Sequence, residues 1–201
     1  MINEGYKAML GGKSVIRELS EYATARGSEI GYDNVFDYSL GNPSVPCPPS
    51  FTEAMIDLYR TAEPVALHGY SPSLGIPSVR ATIADSLNRR FGMDYTADYI
   101  FPTSGAAGAL AHALRAVTKP GDEIITFAPY FPEYQPYVAG TGARLTIVPA
   151  DTENFQINFA AFEAAMNPGV TAVLINTPNN PSGAVYSEET LERLAGILTA
   201  K

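Results

Sequence analysis

Polar and apolar positions fall into two alternating periods along the second half of the chain. IPSVRATIADSLNRRF (76–91) repeats its apolar residues at helical spacing, and Pro77 sits near the first turn, where a missing N–H costs nothing. Tyr99-Ile100-Phe101 predicts a short strand, and the alanine-rich GAAGALAHALRAV (105–117) a helix. The pattern then gives a strand over Asp122–Ala128, a helix over Pro132–Ala139 and a strand over Ala143–Val148. A helix NFAAFEAAM (158–166), a strand Val170–Asn176 and a helix SEETLERLAGIL (187–198) follow. Strands alternating with helices at this interval predict βαβ units, and with the nearly all-apolar strand at 170–176 they read as a parallel sheet covered on both faces. The expected fold is therefore α/β, a three-layer sandwich around a mostly parallel sheet.

The first half is less regular. Val15, Ile16, Leu19, Tyr22 and Ala23 share one face of a helix over residues 14–26, with Ser14 as its expected cap and Gly27 as its stop. A short apolar stretch, Val35–Leu40, runs into GNPSVPCPP, whose four prolines exclude regular structure and read as a linker between structural units. Ser50 is then expected to cap the helix FTEAMIDLYR (51–60).

Composition narrows the function classes. The net charge is −8 and the thirteen basic residues are scattered, with only Arg89-Arg90 adjacent. Such a chain is poorly suited to nucleic acid or an anionic membrane. No apolar run approaches the roughly 18 residues of a membrane span, and the first residues are too polar for a signal peptide. Cys47 is the single cysteine, which rules out an internal disulfide and a cysteine-rich zinc site and fits a reducing, cytoplasmic setting. Small-molecule chemistry is the remaining expectation.

In a parallel sheet, ligands bind in the loops beyond the carboxyl ends of the strands. Three such loops stand out. Thr103-Ser104-Gly105-Ala106-Ala107-Gly108 opens a helix with small residues; it reads equally as an anion site or as a close-packed turn. Ala128–Tyr134 carries three aromatics that can stack on a planar ring or simply pack under a proline-rich loop. Asn176–Gly183 holds Asn180 between two prolines, as a rigid amide donor or as an ordinary turn.

Together these loops resemble the fold type I pyridoxal-phosphate enzymes, and more narrowly the class I/II aminotransferases of the aspartate aminotransferase superfamily. Asn180-Pro181-Ser182-Gly183, preceded by Asn176-x-Pro178, is similar to the N-P-[TS]-G signature. Leu40-Gly41-Asn42-Pro43 resembles L-G-x-P, and Tyr70-x4-Gly75-x3-Val79-Arg80 resembles Y-x4-G-x3-L-R. Thr103-x-Gly105-Ala106-x-x-Ala109-Leu110 resembles the phosphate-cup motif T-x-G-[SA]-x-x-A-L, and Pro129-Tyr130-Phe131-x-x-Tyr134 resembles P-Y-[WF]-x-x-Y. The five motifs occur in the family's order, from about residue 30 to the end of the chain.

The resemblance implies pyridoxal 5′-phosphate as cofactor. Phe131 would stack on its ring and Asn180 would hydrogen-bond its phenolic oxygen. Gly105 and the backbone N–H groups of Ala106 and Ala107 would hold its phosphate. Tyr70 would reach the phosphate of a partner subunit, so a homodimer is implied. Gly41 would lie beside the substrate carboxylate, and Tyr134 would line the pocket. Residues 1–48 would be an N-terminal arm and small-domain segment with a Pro-rich linker, and residues 49–201 the first part of the large cofactor domain, incomplete. The implied reaction moves an amino group between an amino acid and a 2-oxo acid. A C–S lyase of the same fold, or a non-catalytic effector-binding module, are the alternatives.

Val79 stands where the family usually has leucine, and Ala107 and Gly108 where larger polar residues are frequent. The family also needs a lysine for the Schiff base, an aspartate for the pyridinium nitrogen and an arginine for the substrate carboxylate, all downstream of N-P-[TS]-G. The Schiff-base lysine is therefore expected beyond Lys201, and no catalytic residue within this chain. Lys7, Lys13, Lys119 and Lys201 read as surface charges, and the 201 residues alone as inactive. His68 and His112 are too isolated to form a metal site. Gly11-Gly12-Lys13-Ser14 lacks the first glycine and preceding strand of a P-loop.

Overall fold

The structure is a computed structural model that describes residues 4–9, 15–41, 45–150 and 153–200. The chain divides into two units, Met1–Tyr70 and Ser71–Lys201.

The first unit is helical in its regular parts. Its helices are α1 (Glu4–Met9), α2 (Val15–Ile30), α3 (Pro49–Thr61) and α4 (Pro64–His68), with a 3-10 turn at Tyr32–Asn34. Ser14 and its expected capping role lie outside the described residues. Gly27 does not stop α2 as the sequence predicts; the helix continues to Ile30, and Gly31, at φ +88°, ends it. Gly27 instead makes room for a ring, because a Cβ there would stand 2.4 Å from Cδ1 of Tyr32. Ser50 does not cap α3 either. Pro48 takes the cap position and Pro49 the first turn, where both fix φ and lack a donor that would have no partner. Leu19, Tyr22, Ala23, Arg26 and residues 35–39 line an open cleft of about 330 Å³.

The second unit carries the parallel sheet. Strands β1 (Glu123–Phe127), β2 (Arg144–Val148) and β3 (Val170–Leu174) pair in the order β2-β1-β3, all parallel. Helices α5 (Pro77–Phe91), α6 (Gly105–Val117), α7 (Tyr134–Ala139), α8 (Phe159–Ala165) and α9 (Glu188–Thr199) complete it. Every residue of β1 is buried, as a central strand covered on both faces must be.

The alternation of side chains along β1 sorts the core into two layers. Ile125 and Phe127 pack with Val148, Ile157, Phe162 of α8, Tyr186 and Leu194 of α9. Ile124 faces the other way, onto Leu114 of α6 and Val138 of α7. Phe127 and Phe162 meet edge to face at 5.4 Å, the preferred geometry for an aromatic pair. Helices on both faces of a parallel sheet make the three layers that the sequence predicts. Two caps hold the outer helices: Asn158 Oδ1 accepts from the Ala161 N–H and Ser187 Oγ from the Thr190 N–H.

The strand predicted at 99–101 is absent. Ala97–Tyr99 form a 3-10 turn, and the chain then runs extended to Thr103 without a strand partner among the described residues. Two side chains of α5 hold the backbone on either side of that turn instead. Arg80 Nε donates to the Ile100 carbonyl at 2.9 Å, and the Asn88 amide bonds both N–H and C=O of Tyr95 at 2.8 and 2.9 Å.

At the amino end of the sheet, buried Glu123 gathers three donors. Its Oε2 accepts from Arg144 at 2.5 Å and from Asn167 at 3.1 Å, and its Oε1 accepts from the Thr146 hydroxyl. These bonds, led by Thr146 and opposed by burial, hold its carboxyl below the ordinary glutamate range.

Candidate functional site

Parallel strands put all their carboxyl ends on one side, and there the loops after β1 and β3 emerge next to each other. The first runs from Ala128 to Glu133 and the second from Ile175 to Ser187. Helix α6 reaches the amino end of β1 through a short turn at 118–122 and packs Leu114 against Ile124. It therefore runs antiparallel to the strands, with its first turn toward their carboxyl ends.

That first turn is open. Ser104 occupies the cap position but makes no side-chain bond to the helix. Ser104, Gly105, Ala106 and Ala107 are all exposed. Gly105 adopts φ +71°, and nothing lies within 4 Å of where a Cβ would sit. The turn is set by Thr103, whose carbonyl accepts the Gly105 N–H at 2.9 Å and whose hydroxyl donates to the Gly105 carbonyl at 3.0 Å. The leading N–H groups of a 13-residue helix have no intrahelical acceptor, and the helix dipole makes this end positive. The arrangement is chemically an anion acceptor.

The loop after β1 begins on the sheet ladder, with the Ala128 N–H donating to the Val148 carbonyl at 2.9 Å. Phe131 is half-buried and Tyr134 buried. The Tyr134 ring stands edge-on to Phe131 at 5.7 Å and nearly parallel to Tyr130 at 6.4 Å. Burial pushes the Tyr134 hydroxyl above its ordinary pKa. Tyr186 is pushed the same way by burial and, secondarily, by Tyr134.

The loop after β3 is knitted from within. Buried Asn179 accepts at Oδ1 from the Ser182 hydroxyl at 2.9 Å and N–H at 3.2 Å. Its backbone exchanges bonds with Ala184 and Gly183, the latter at φ +71°. Asn176 Oδ1 takes the Asn180 N–H at 2.6 Å, and Thr177 Oγ1 takes the Tyr186 N–H at 3.0 Å. Asn180 itself is exposed, and its side-chain amide has no partner among the described residues. A rigid loop thus presents one free amide.

Gly105, Ala106, Ala107, Phe131, Tyr134 and Asn180 therefore all belong to loops or turns toward one end of this sheet. Gly41 and Tyr70 belong to the first unit, where both are exposed. Lys119 lies in the turn at the opposite, amino end, and Lys7 pairs with Glu4 at 3.4 Å. Lys13, Lys201 and the segment 11–14 lie outside the described residues. His68 rests against the ring of Tyr59, and His112 edge-on to Phe101. Among the described residues no cluster of His, Cys, Asp or Glu is able to hold a metal, and no helix is long and apolar enough to cross a membrane. The sequence reading missed Thr177, Asn179 and Tyr186 as the residues that fix the Asn180 loop. The polar residues flanking each proline were the available signal.

Comparison with known proteins bears on the same segments. The family model for aminotransferase class I and II matches residues 33–201. An aminotransferase from Eubacterium rectale has the same fold over 100% of this chain and 50% of its own, with a TM-score of 0.94 and 46% identity. The aspartate aminotransferase of Thermotoga maritima is 33% identical over 166 residues, 82% of this chain and 43% of that protein. The probable N-succinyldiaminopimelate aminotransferase of Mycobacterium tuberculosis is 33% identical over 190 residues, 93% of this chain and 45% of that protein. The chain thus spans about half the length of the curated relatives it matches. The order of the loops, the parallel sheet that carries them and the match over residues 33–201 lead to one assignment: the chain belongs to the class I and II aminotransferase family.

Proposed function

We propose that the full-length protein is a pyridoxal-phosphate-dependent aminotransferase that moves an amino group between an amino acid and a 2-oxo acid, acting as a cytoplasmic homodimer. The observation that carries this reading is the open first turn of α6 at the same end of the sheet as the aromatic and free-amide loops. Members of this family use pyridoxal phosphate, and the residues present fit that group. The uncapped turn accepts a phosphate, with only small side chains around it to keep the anion from the Gly105, Ala106 and Ala107 backbone. Phe131, held edge-on by Tyr134, offers a flat apolar face to a pyridine ring. The Asn180 amide would donate to a ring oxygen of that group and favour its ionised form.

When bound, the cofactor supplies an electron sink for the negative charge left at the substrate's α-carbon. The chain's own residues hold and orient. Tyr134 lines the pocket as a neutral hydroxyl. Gly41 would lie beside the substrate carboxylate, as the family's L-G-x-P segment implies. Tyr70, fully exposed, is free to reach a partner subunit's phosphate. None of the chain's residues is assigned the covalent step.

The test is a spectral cycle on the full-length protein. Absorbance in the presence of pyridoxal phosphate should change on adding an amino donor, with stoichiometric 2-oxo acid released, and return on adding a different 2-oxo acid. Asn180→Ala should weaken cofactor binding about tenfold, the scale of one lost hydrogen bond to a charged group. No cycle with any common amino acid refutes the proposal.

A further inference from the structure

Arg80 is a charge placed where charges are rarely found. It projects from α5 with only a tenth of its side chain exposed, and a buried guanidinium is tolerated only when its N–H groups are occupied. Its Nε donates to the Ile100 carbonyl at 2.9 Å. Its Nη2 lies 3.5 Å from Asp98, whose carboxylate is almost wholly in solvent and so contributes little. Asn88, two turns further along the same face of α5, grips both backbone groups of Tyr95. Gly75, at φ +90°, closes the other end; a Cβ there would stand 3.0 Å from Pro102 and 3.6 Å from the Arg80 Cδ.

The segment held in this way runs straight into Thr103, whose backbone and hydroxyl shape the Gly105 turn. No strand pairs with residues 100–103 among the described residues, so the path into α6 depends on these side-chain contacts. We propose that Arg80 is a positioning residue for the phosphate site: through the Ile100 carbonyl it fixes the strap of residues 98–103, and with it the direction of the Gly105, Ala106 and Ala107 N–H groups. The proposal rests on the cofactor reading above and adds a residue that itself touches neither cofactor nor substrate.

The experiment compares pyridoxal 5′-phosphate with pyridoxal, which lacks the phosphate, on the full-length protein. Dissociation constants of both are measured by equilibrium dialysis for the wild type, Arg80→Met, Arg80→Lys and Asp98→Asn, beside a thermal melt of each. Arg80→Met should weaken pyridoxal phosphate about tenfold, the effect of one charge-assisted hydrogen bond, and leave pyridoxal unchanged. Arg80→Lys, which keeps a donor, should recover part of the preference, and Asp98→Asn should keep all of it. If Arg80→Met does not fold, the same ratio in Arg80→Lys decides, with a partial loss expected. Equal weakening of both compounds, or of neither, in a folded variant overturns the positioning role while the cofactor reading stands. A wild type without preference for the phosphorylated compound overturns both.

Discussion

Glu123 at the foot of the sheet permits a quantitative test of what holds the three strands in register. Its carboxylate accepts from Arg144 and Thr146 of β2 and from Asn167, which immediately precedes β3. Glutamine at this position keeps the shape and one acceptor. With its oxygen toward Arg144 and Asn167, its NH2 meets the Thr146 hydroxyl, which must then accept rather than donate. The loss is the charge assistance: a hydrogen bond to a charged group contributes about 1.5–3 kcal/mol against about 0.5–1.5 for a neutral one, so Glu123→Gln should cost about 1–2 kcal/mol. Arg144→Met should cost less than about 1 kcal/mol, because the Arg144 side chain is 73% exposed and water competes for it. Urea denaturation followed by circular dichroism measures both. In a chain of this size each kcal/mol is also about 2–4 °C in Tm.

The pH dependence has a definite sign. The folded-state pKa of Glu123 lies below its unfolded value, so its contribution is present in full above the ordinary glutamate range. It fades as pH falls through the lower, folded-state value. The gap between wild type and Glu123→Gln should accordingly be widest near neutrality and close in acid. A gap that widens in acid, or an Arg144→Met cost larger than that of Glu123→Gln, refutes the account.

Two further outcomes follow from other parts of the fold. Ser187→Ala removes the acceptor for the Thr190 N–H at the start of α9 and should cost about 1 kcal/mol in the same assay, with Ser187→Asp restoring it. In a spectrophotometric titration Tyr134 and Tyr186 should ionise above the ordinary tyrosine pKa. Their folded-state values are raised, so the stability they contribute is full below the unfolded phenol pKa and is lost as pH rises through the folded one. Replacing either with phenylalanine should flatten the alkaline limb of the stability curve.

The helices and strands from residue 105 onward were legible because each buries one face or both against the same sheet, so burial and periodicity agree. Asn158 and Ser187 are caps that the sequence reading, which expected caps at Ser14 and Ser50, passed over, although a short acceptor beside free N–H groups is a local signal. Residues 99–101 were not: an aromatic-aliphatic triplet has strand propensity, but pairing is a non-local property, and here Arg80 takes the carbonyl that a ladder needs. Gly27 misled in the same way. Its value lies in the missing Cβ that admits Tyr32, which one-dimensional spacing cannot register. In the site, residue types and order pointed to the three loops, whereas the bonds that stiffen them, from Asn179 to Ser182 and from Thr177 to Tyr186, depend on turn geometry.

The strand order has a consequence for how the sheet comes into being. β1 precedes β2 and β3 in the chain yet lies between them. A chain that emerges amino end first exposes the middle strand with both flanks free. β2 then settles on one flank and β3 on the other, and neither has to be inserted between strands already joined. Growth by accretion at the margins brings β2 onto β1 first and β3 later, across the longer separation from Glu123 to Val170, and the strand exposed first becomes the one most completely shielded from water.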